Sequence, residues 1–204
     1  MIRIQNYEFK NVMIIAGIDE VGRGPLAGPV VVACVILPDD YDNSQITDSK
    51  KISHSRRLQL TKEIQDIAID FSIAELDNIV VDEINILKAT HKAMVMAVEM
   101  LKIKPDYIYI DGNSIPKTLP YKAEAVVKGD TFISQISAAS IMAKVHRDNW
   151  MTDVAHELYP QYNFAKHKGY ATREHFDAIA KYGICPLHRM TFLKKFFTKQ
   201  ISLF

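Results

Sequence analysis

Only two cysteines, Cys34 and Cys185, occur in the 204 residues. Neither belongs to a CxxC pair or a Cys/His cluster, which excludes a disulfide framework and gives no support for zinc. The thiols fit a reducing compartment, and no bond between them is expected. Apolar runs are short, and none approaches the ~18 residues of a membrane span. Met13–Gly17 is too short for a cleavable signal, and acids follow it at once. The cytoplasm is the expected location, with no membrane partner. A charge surplus is missing too: 25 Lys and Arg against 24 Asp and Glu leave a net charge of +1. The total therefore makes no case for nucleic acid. Internal repeats and low-complexity tracts are absent.

What is present suits an ordinary globular chain. Apolar residues at 48% and charged residues at 24% suffice to bury a core without a staple. The charge is unevenly placed. Residues 144–204 hold ten Lys and Arg against five Asp and Glu, whereas residues 1–143 hold fifteen against nineteen. A basic final third bordering an acidic site suits a polyanion, although a merely uneven solvated surface has the same count.

Met13–Ile18 and Pro29–Leu37 read as buried strands. Their connection, Asp19–Gly28, is too short for a crossover helix, which makes them antiparallel neighbours. Pro38–Lys51 is a polar loop, and Ser53 caps a helix to about Ile67. Phe71–Leu76 is a third strand. A long helix is expected from about Ile84 to Ile103, ending before Pro105. Tyr107–Ile110 and Ala123–Val127 complete the strands. Ser134 opens a helix running to about Leu158, and Thr172 caps another to Tyr182.

Three strand ends carry acids into glycine-containing turns: Asp19-Glu20, Asp111 and Asp130. Each alone reads as a turn residue. If their strands are neighbours in the sheet, together they bring four carboxylates to one edge. Carboxylates that close repel, and a divalent cation relieves that repulsion. Hard oxygen donors select Mg²⁺ or Mn²⁺, and a pair of such ions suits phosphoryl transfer.

Bases and hydroxyls accompany the acids. Gly22-Arg23-Gly24 is a tight turn whose backbone can approach a ligand. The spacing from Ser134 sets Ser137, Ser140, Lys144 and Asp148 roughly along one helix face. Ser140 and Lys144 suit a phosphate, or serve as a packing serine and a surface lysine. Asp148 pairs with Lys144 or stands behind the metal ligands. Lys168 and Tyr170, in Lys166–Tyr170, suit backbone contact plus stacking on a sugar or base, and a core Tyr170 fits equally. Ser49, Lys50 and Lys51, with Arg56 and Arg57, form a second basic patch for contact with a duplex elsewhere. His188-Arg189 reads as a capping or interface pair.

These stretches resemble the ribonuclease HII family. The resemblance lies in Ala16–Val30, Asp48–Lys51, Ile110–Gly112, Lys128–Asp130, Ser137–Val145, Arg147-Asp148, His167–Tyr170 and Pro186–Arg189, and spans about residues 12–192 in one order. It implies an α/β fold: an RNase H-like mixed β-sheet flanked by helices, with a small helical C-terminal region. Residues 1–185 would form the catalytic domain and 186–204 a basic segment packed on it. The resemblance further implies an endonuclease for the RNA strand of RNA–DNA hybrids. It would also incise 5′ to single ribonucleotides in duplex DNA, leaving 3′-hydroxyl and 5′-phosphate ends.

By the same resemblance, Asp19, Glu20, Asp111 and Asp130 hold Mg²⁺ or Mn²⁺, two ions during catalysis. Arg23 in its Gly22–Gly24 loop, with Tyr170, recognises the 2′-hydroxyl and the RNA–DNA junction, and Ser140 and Lys144 support the phosphate. The expected partners are the hybrid and ribonucleotide-containing duplex DNA. A monomer is expected, and no protein partner is assigned to the apolar Ile201–Phe204. The alternatives are another two-metal nuclease or phosphatase without ribose selectivity, and a non-catalytic hybrid-binding module.

Overall fold

The computed structural model describes residues 13–39, 41 and 53–194. Strands β1 (Ile15–Val21) and β2 (Val30–Ile36) are antiparallel, as the short connection requires, with Ala16 opposite Ile36 and Val21 opposite Val31. β3 (Asp70–Leu76) adds antiparallel to β2, while β4 (Tyr107–Asp111) and β5 (Ala123–Val126) run parallel to β1 on its other side. The result is a mixed five-stranded sheet ordered β3-β2-β1-β4-β5. β1 and β4 are therefore adjacent and point the same way, so Asp19-Glu20 and Asp111 emerge at one edge.

β2 is buried along its whole length, as a continuously apolar central strand should be. Its alternate residues feed two cores. Val30, Val32, Cys34 and Ile36 pack with Ala89, Ala93 and Ala97 of α3 (Ile86–Met100). Val31, Ala33 and Val35 pack with Leu60 and Ile64 of α1 (His54–Ile67) and Ala138, Ala139 and Met142 of α4 (Ser134–Asn149). Helices thus cover both faces.

The helix expected from about Ile84 to Ile103 is α3 (Ile86–Met100), and a further helix not expected from the sequence precedes it. α2 (Asn78–Ile84) ends at Asn85, whose φ of 69° breaks the helix and whose side chain caps α3 through the Lys88 N–H at 3.1 Å. The expected Ser134–Leu158 helix continues past α4 as a π-turn stretch, Trp150–Ala155, into α5 (His156–Leu158). A 3₁₀ turn (Pro160–Tyr162), α6 (Phe164–His167) and α7 (Arg173–Tyr182) follow. A third core, containing Met151, Tyr162, Phe164, Ile179 and Leu193, joins this helical region to Leu26 and Ala27.

Close approach fixes where α4 meets β1. A Cβ on Gly17 would stand 2.2 Å from the Gln135 carbonyl carbon, so only glycine lets the start of α4 press onto the strand. That contact aims the rest of α4 at the strand end carrying the acids. No helix among the described residues is long and apolar enough to cross a membrane. Cys34 and Cys185 are both free and buried.

Candidate active site

The C-terminal end of β1 opens into a cavity of about 460 Å³. Asp19, Glu20, Val21 and Gly22 form one wall, and Asp111, at the end of β4, stands beside them. Ser140 and Lys144 of α4, Arg57 of α1 and Tyr170 close the other sides. Acids and bases from four separate segments, and Tyr170 from a fifth, therefore share one opening.

Its electrostatics are set by burial first and by crowding second. Burial holds the Asp19 carboxyl well above its ordinary range; Glu20 and Asp111 push it further up, opposed by a hydrogen bond with Ser140. Burial also raises Glu20, opposed by Arg23, whose Nη1 lies 3.1 Å from Glu20 Oε1. The Asp19 Oδ1 accepts the Glu20 N–H at 2.7 Å. This is an oxygen-donor site short of positive charge at its floor.

Asp130 is placed differently from its three partners. It is nearly buried, in the 3₁₀ turn Gly129–Thr131 after β5, and does not line the cavity. Its N–H points to Asp111 Oδ1 at 3.4 Å, and its carbonyl accepts the Ser137 hydroxyl at 2.6 Å. Among the described residues, no three Asp, Glu, His or Cys side chains form a ready-made metal cluster.

The basic wall is organised by Asp148. Lys144 Nζ donates to Asp148 Oδ1 at 2.7 Å, and Arg57 Nη1 lies 4.0 Å from Oδ2. Lys144 Nζ and the Arg147 guanidinium each sit 5.8 Å from the centre of the Tyr170 ring. Tyr170 is 38% exposed, which removes the core reading of that residue. Lys168 turns inward, its ammonium donating to Thr152 Oγ1 and to the Ala165 carbonyl. Gly24 is exposed at the tip of the first turn. Ser49, Lys50 and Lys51 lie outside the described residues.

Three arginines matter more than the sequence suggested. Arg57 was grouped with a separate basic patch, but α1 packs beside α4, which brings Arg57 into the cavity wall. Arg147 is fully buried and donates to the Pro29, Lys168 and Ala27 carbonyls at 2.9, 3.0 and 3.1 Å. It thereby ties the end of the glycine turn to the loop before Tyr170. Gly22 must be glycine beneath it: its φ is +92°, and a Cβ there would meet Arg147 Nε at 2.4 Å. Arg189, also fully buried, holds the Gly22, Pro25 and Gly28 carbonyls. His188-Arg189 is thus interior, neither a cap nor an exposed interface. The only signal for either buried arginine was its place in the stretches that resemble the family.

Comparison with known proteins agrees with this architecture. The family model described as Ribonuclease HII matches residues 16–197. The chain is 52% identical over 181 residues to the ribonuclease HII of Caldanaerobacter subterraneus subsp. tengcongensis, covering 89% of this chain and 74% of that protein. It superposes on the crystal structure of ribonuclease H2 from Pyrococcus horikoshii with a TM-score of 0.72 at 27% identity, over 92% of this chain and 98% of that one. The fold is shared with Bst-RNase HIII, whose structure in complex with Mn²⁺ gives a TM-score of 0.64 at 17% identity, over 93% of this chain and 70% of that one. The chain belongs to the ribonuclease HII family, a family of endoribonuclease hydrolases.

Proposed function

We propose that the chain hydrolyses the RNA strand of RNA–DNA hybrids and incises 5′ to single ribonucleotides embedded in duplex DNA, leaving 3′-hydroxyl and 5′-phosphate ends. One observation carries the reading: Asp19, Glu20 and Asp111 share a cavity wall with Ser140, Lys144 and Tyr170. A phosphate binder needs the bases but gains nothing from the acids. A hydrolase needs both.

The donor set fits Mg²⁺ or Mn²⁺. It is all hard oxygen, and the burial and carboxylate repulsion that raise Asp19 are what a divalent cation offsets. Asp19, Glu20, Asp111 and Asp130 would hold the metal, with two ions in catalysis. When bound, the ions supply an activated water and stabilise the departing 3′-oxygen.

The remaining steps belong to the side chains. Lys144 and Ser140 would orient the scissile phosphate, with Asp148 fixing the lysine. Gly22, Arg23 and Gly24 would approach the ribose, and Tyr170 would pack against the sugar at the junction. Discrimination between RNA and DNA would rest on the 2′-hydroxyl and groove shape, independent of base sequence. The Ser49–Lys51 segment would complete the proposed contacts to the strand backbone, and Lys168, whose ammonium is held by Thr152 and Ala165, would join them only by leaving those partners. Residues 1–185 would act as the catalytic domain with 186–204 packed on it, in a monomer working in the cytoplasm.

Asp111→Asn tests the assignment. It should lower hybrid cleavage in Mg²⁺ or Mn²⁺ by at least about a hundredfold while leaving the unfolding transition intact. Full turnover in that variant would remove Asp111 from the site.

A further inference from the structure

Three histidines lie buried behind Tyr170, and the cavity wall uses none of them. His167, His175 and His188 are 7%, 0% and 2% exposed. His175, on α7, stacks on His167 with ring centres 4.4 Å apart. Its Nδ1 lies 2.9 Å from the Tyr170 carbonyl oxygen, and its Nε2 lies 3.0 Å from Nε2 of His188. At the far end, His188 Nδ1 faces three atoms of Cys185: the backbone N–H at 2.9 Å, and the carbonyl oxygen and Sγ each at 3.2 Å.

The Tyr170 carbonyl dictates every proton in a pair of neutral rings. A carbonyl oxygen only accepts, so His175 Nδ1 carries a proton and donates to Tyr170. A neutral imidazole has one donor and one acceptor. His175 Nε2 is therefore bare and His188 Nε2 protonated, which is the pairing their contact requires. That leaves His188 Nδ1 bare, so of the Cys185 atoms around it the nearer backbone N–H is the one it engages. Cys185 N–H donates to His188, His188 to His175, and His175 to Tyr170, with both rings neutral.

The same reasoning fixes His167. Its Nε2 donates to the Tyr162 carbonyl at 2.6 Å, and its Nδ1 accepts the Gly169 N–H at 3.2 Å. The loop ending at Tyr170 is thus gripped by one histidine at the Gly169 nitrogen and by another at the Tyr170 oxygen. The Tyr170 oxygen also accepts the Thr172 N–H at 2.8 Å, which engages both of its lone pairs. Nothing in this arrangement contributes to the cavity wall, yet all of it converges on the residue whose ring does.

We infer that His175 is a positioning residue for ribose selection: the directed His188–His175 relay holds the Tyr170 main chain, and thereby sets its ring in the cavity. This rests on the ribose-checking role proposed for Tyr170. The relay acts only through that residue's placement, and donor geometry at His175 is what it supplies.

Two experiments test it. Long-range ¹H–¹⁵N spectra of the full chain at neutral pH should show His175 as the Nδ1–H tautomer and His188 as the Nε2–H tautomer. The opposite tautomer at either residue overturns the relay. In Mg²⁺ or Mn²⁺, His175→Phe keeps an aromatic ring against His167 but removes the donor. It should lower the ratio of cleavage at one embedded ribonucleotide to cleavage of a long hybrid by about tenfold. His175→Asn, which restores an N–H near the Nδ1 position, should recover part of that loss; a ratio no better than that of His175→Phe would contradict the donor's role. Tyr170→Ala is measured alongside. An unchanged ratio there overturns the role of Tyr170 and the relay with it. A lowered ratio there with an unchanged ratio in His175→Phe overturns the relay alone.

Discussion

Arg189 Nη2 donates to the Gly22 carbonyl at 2.7 Å, across 167 positions of sequence. The same guanidinium reaches Arg23 O at 3.2 Å, Pro25 O at 2.9 Å and Gly28 O at 2.8 Å. A residue near the end of the described chain therefore holds the first turn, the one that sets Arg23 against Glu20 of the cavity wall. Burial makes this costly and pushes the Arg189 guanidinium down to about 9. Five donors in a rigid planar fork can serve several carbonyls at once, which an ammonium cannot.

Arg189→Met should therefore destabilise the fold by on the order of 3 kcal/mol, because buried carbonyls lose their partners. Urea unfolding measures this. A cost below about 1 kcal/mol would mean that the turn holds itself without the arginine.

Asp19→Asn should have opposite effects on stability and activity. The folded state raises the Asp19 pKa above the ordinary value of 3.8, so it binds a proton that the unfolded chain has released. The contribution of Asp19 to stability therefore falls as pH rises from 3.8 through the raised folded value. Removing the charge should stabilise the metal-free protein at neutral pH while abolishing most turnover, a trade expected at functional sites. Thermal unfolding in a chelator, paired with a hybrid-cleavage assay, checks both. A variant less stable than the parent would contradict the crowding described for the site.

His175 has the reverse sign. Burial, assisted by His167 and His188, lowers its pKa from 6.5 to about 4. Between those values the unfolded chain takes up a proton that the folded chain refuses. The stability contributed by the neutral ring is thus complete above 6.5 and is lost as pH falls toward 4. The loss should reach roughly 3 kcal/mol. Comparing unfolding free energies of the parent and His175→Phe at neutral and acidic pH isolates it. A pH-independent difference would contradict a neutral buried ring.

Features written in local chemistry were legible in the sequence. Ser53 caps α1 through the Arg56 N–H, and the short glycine-rich connection made β1 and β2 antiparallel. Of the acids at strand ends, Asp19, Glu20 and Asp111 line the cavity, and Asp130 sits buried behind it. Other features were hidden for physical reasons. Apolar periodicity runs straight through Asn85, since Ile84 and Ile86 both pack against the same core, so the break depended on one residue's left-handed backbone. Arg147 and Arg189 pair with main-chain carbonyls, which every residue possesses and no motif marks. The histidine relay likewise depends on α7 folding back over Tyr170. Arg57 entered the site only through the packing of α1 on α4, a tertiary contact that one helix's pattern does not contain.

The most direct test of the account is cleavage, in Mg²⁺ or Mn²⁺, of a DNA duplex carrying one ribonucleotide, set against the same duplex made wholly of DNA. The account expects incision 5′ to the ribonucleotide, with 3′-hydroxyl and 5′-phosphate ends, and no cutting of the control. Equal cutting of the two duplexes would contradict it, leaving a two-metal nuclease without ribose selectivity.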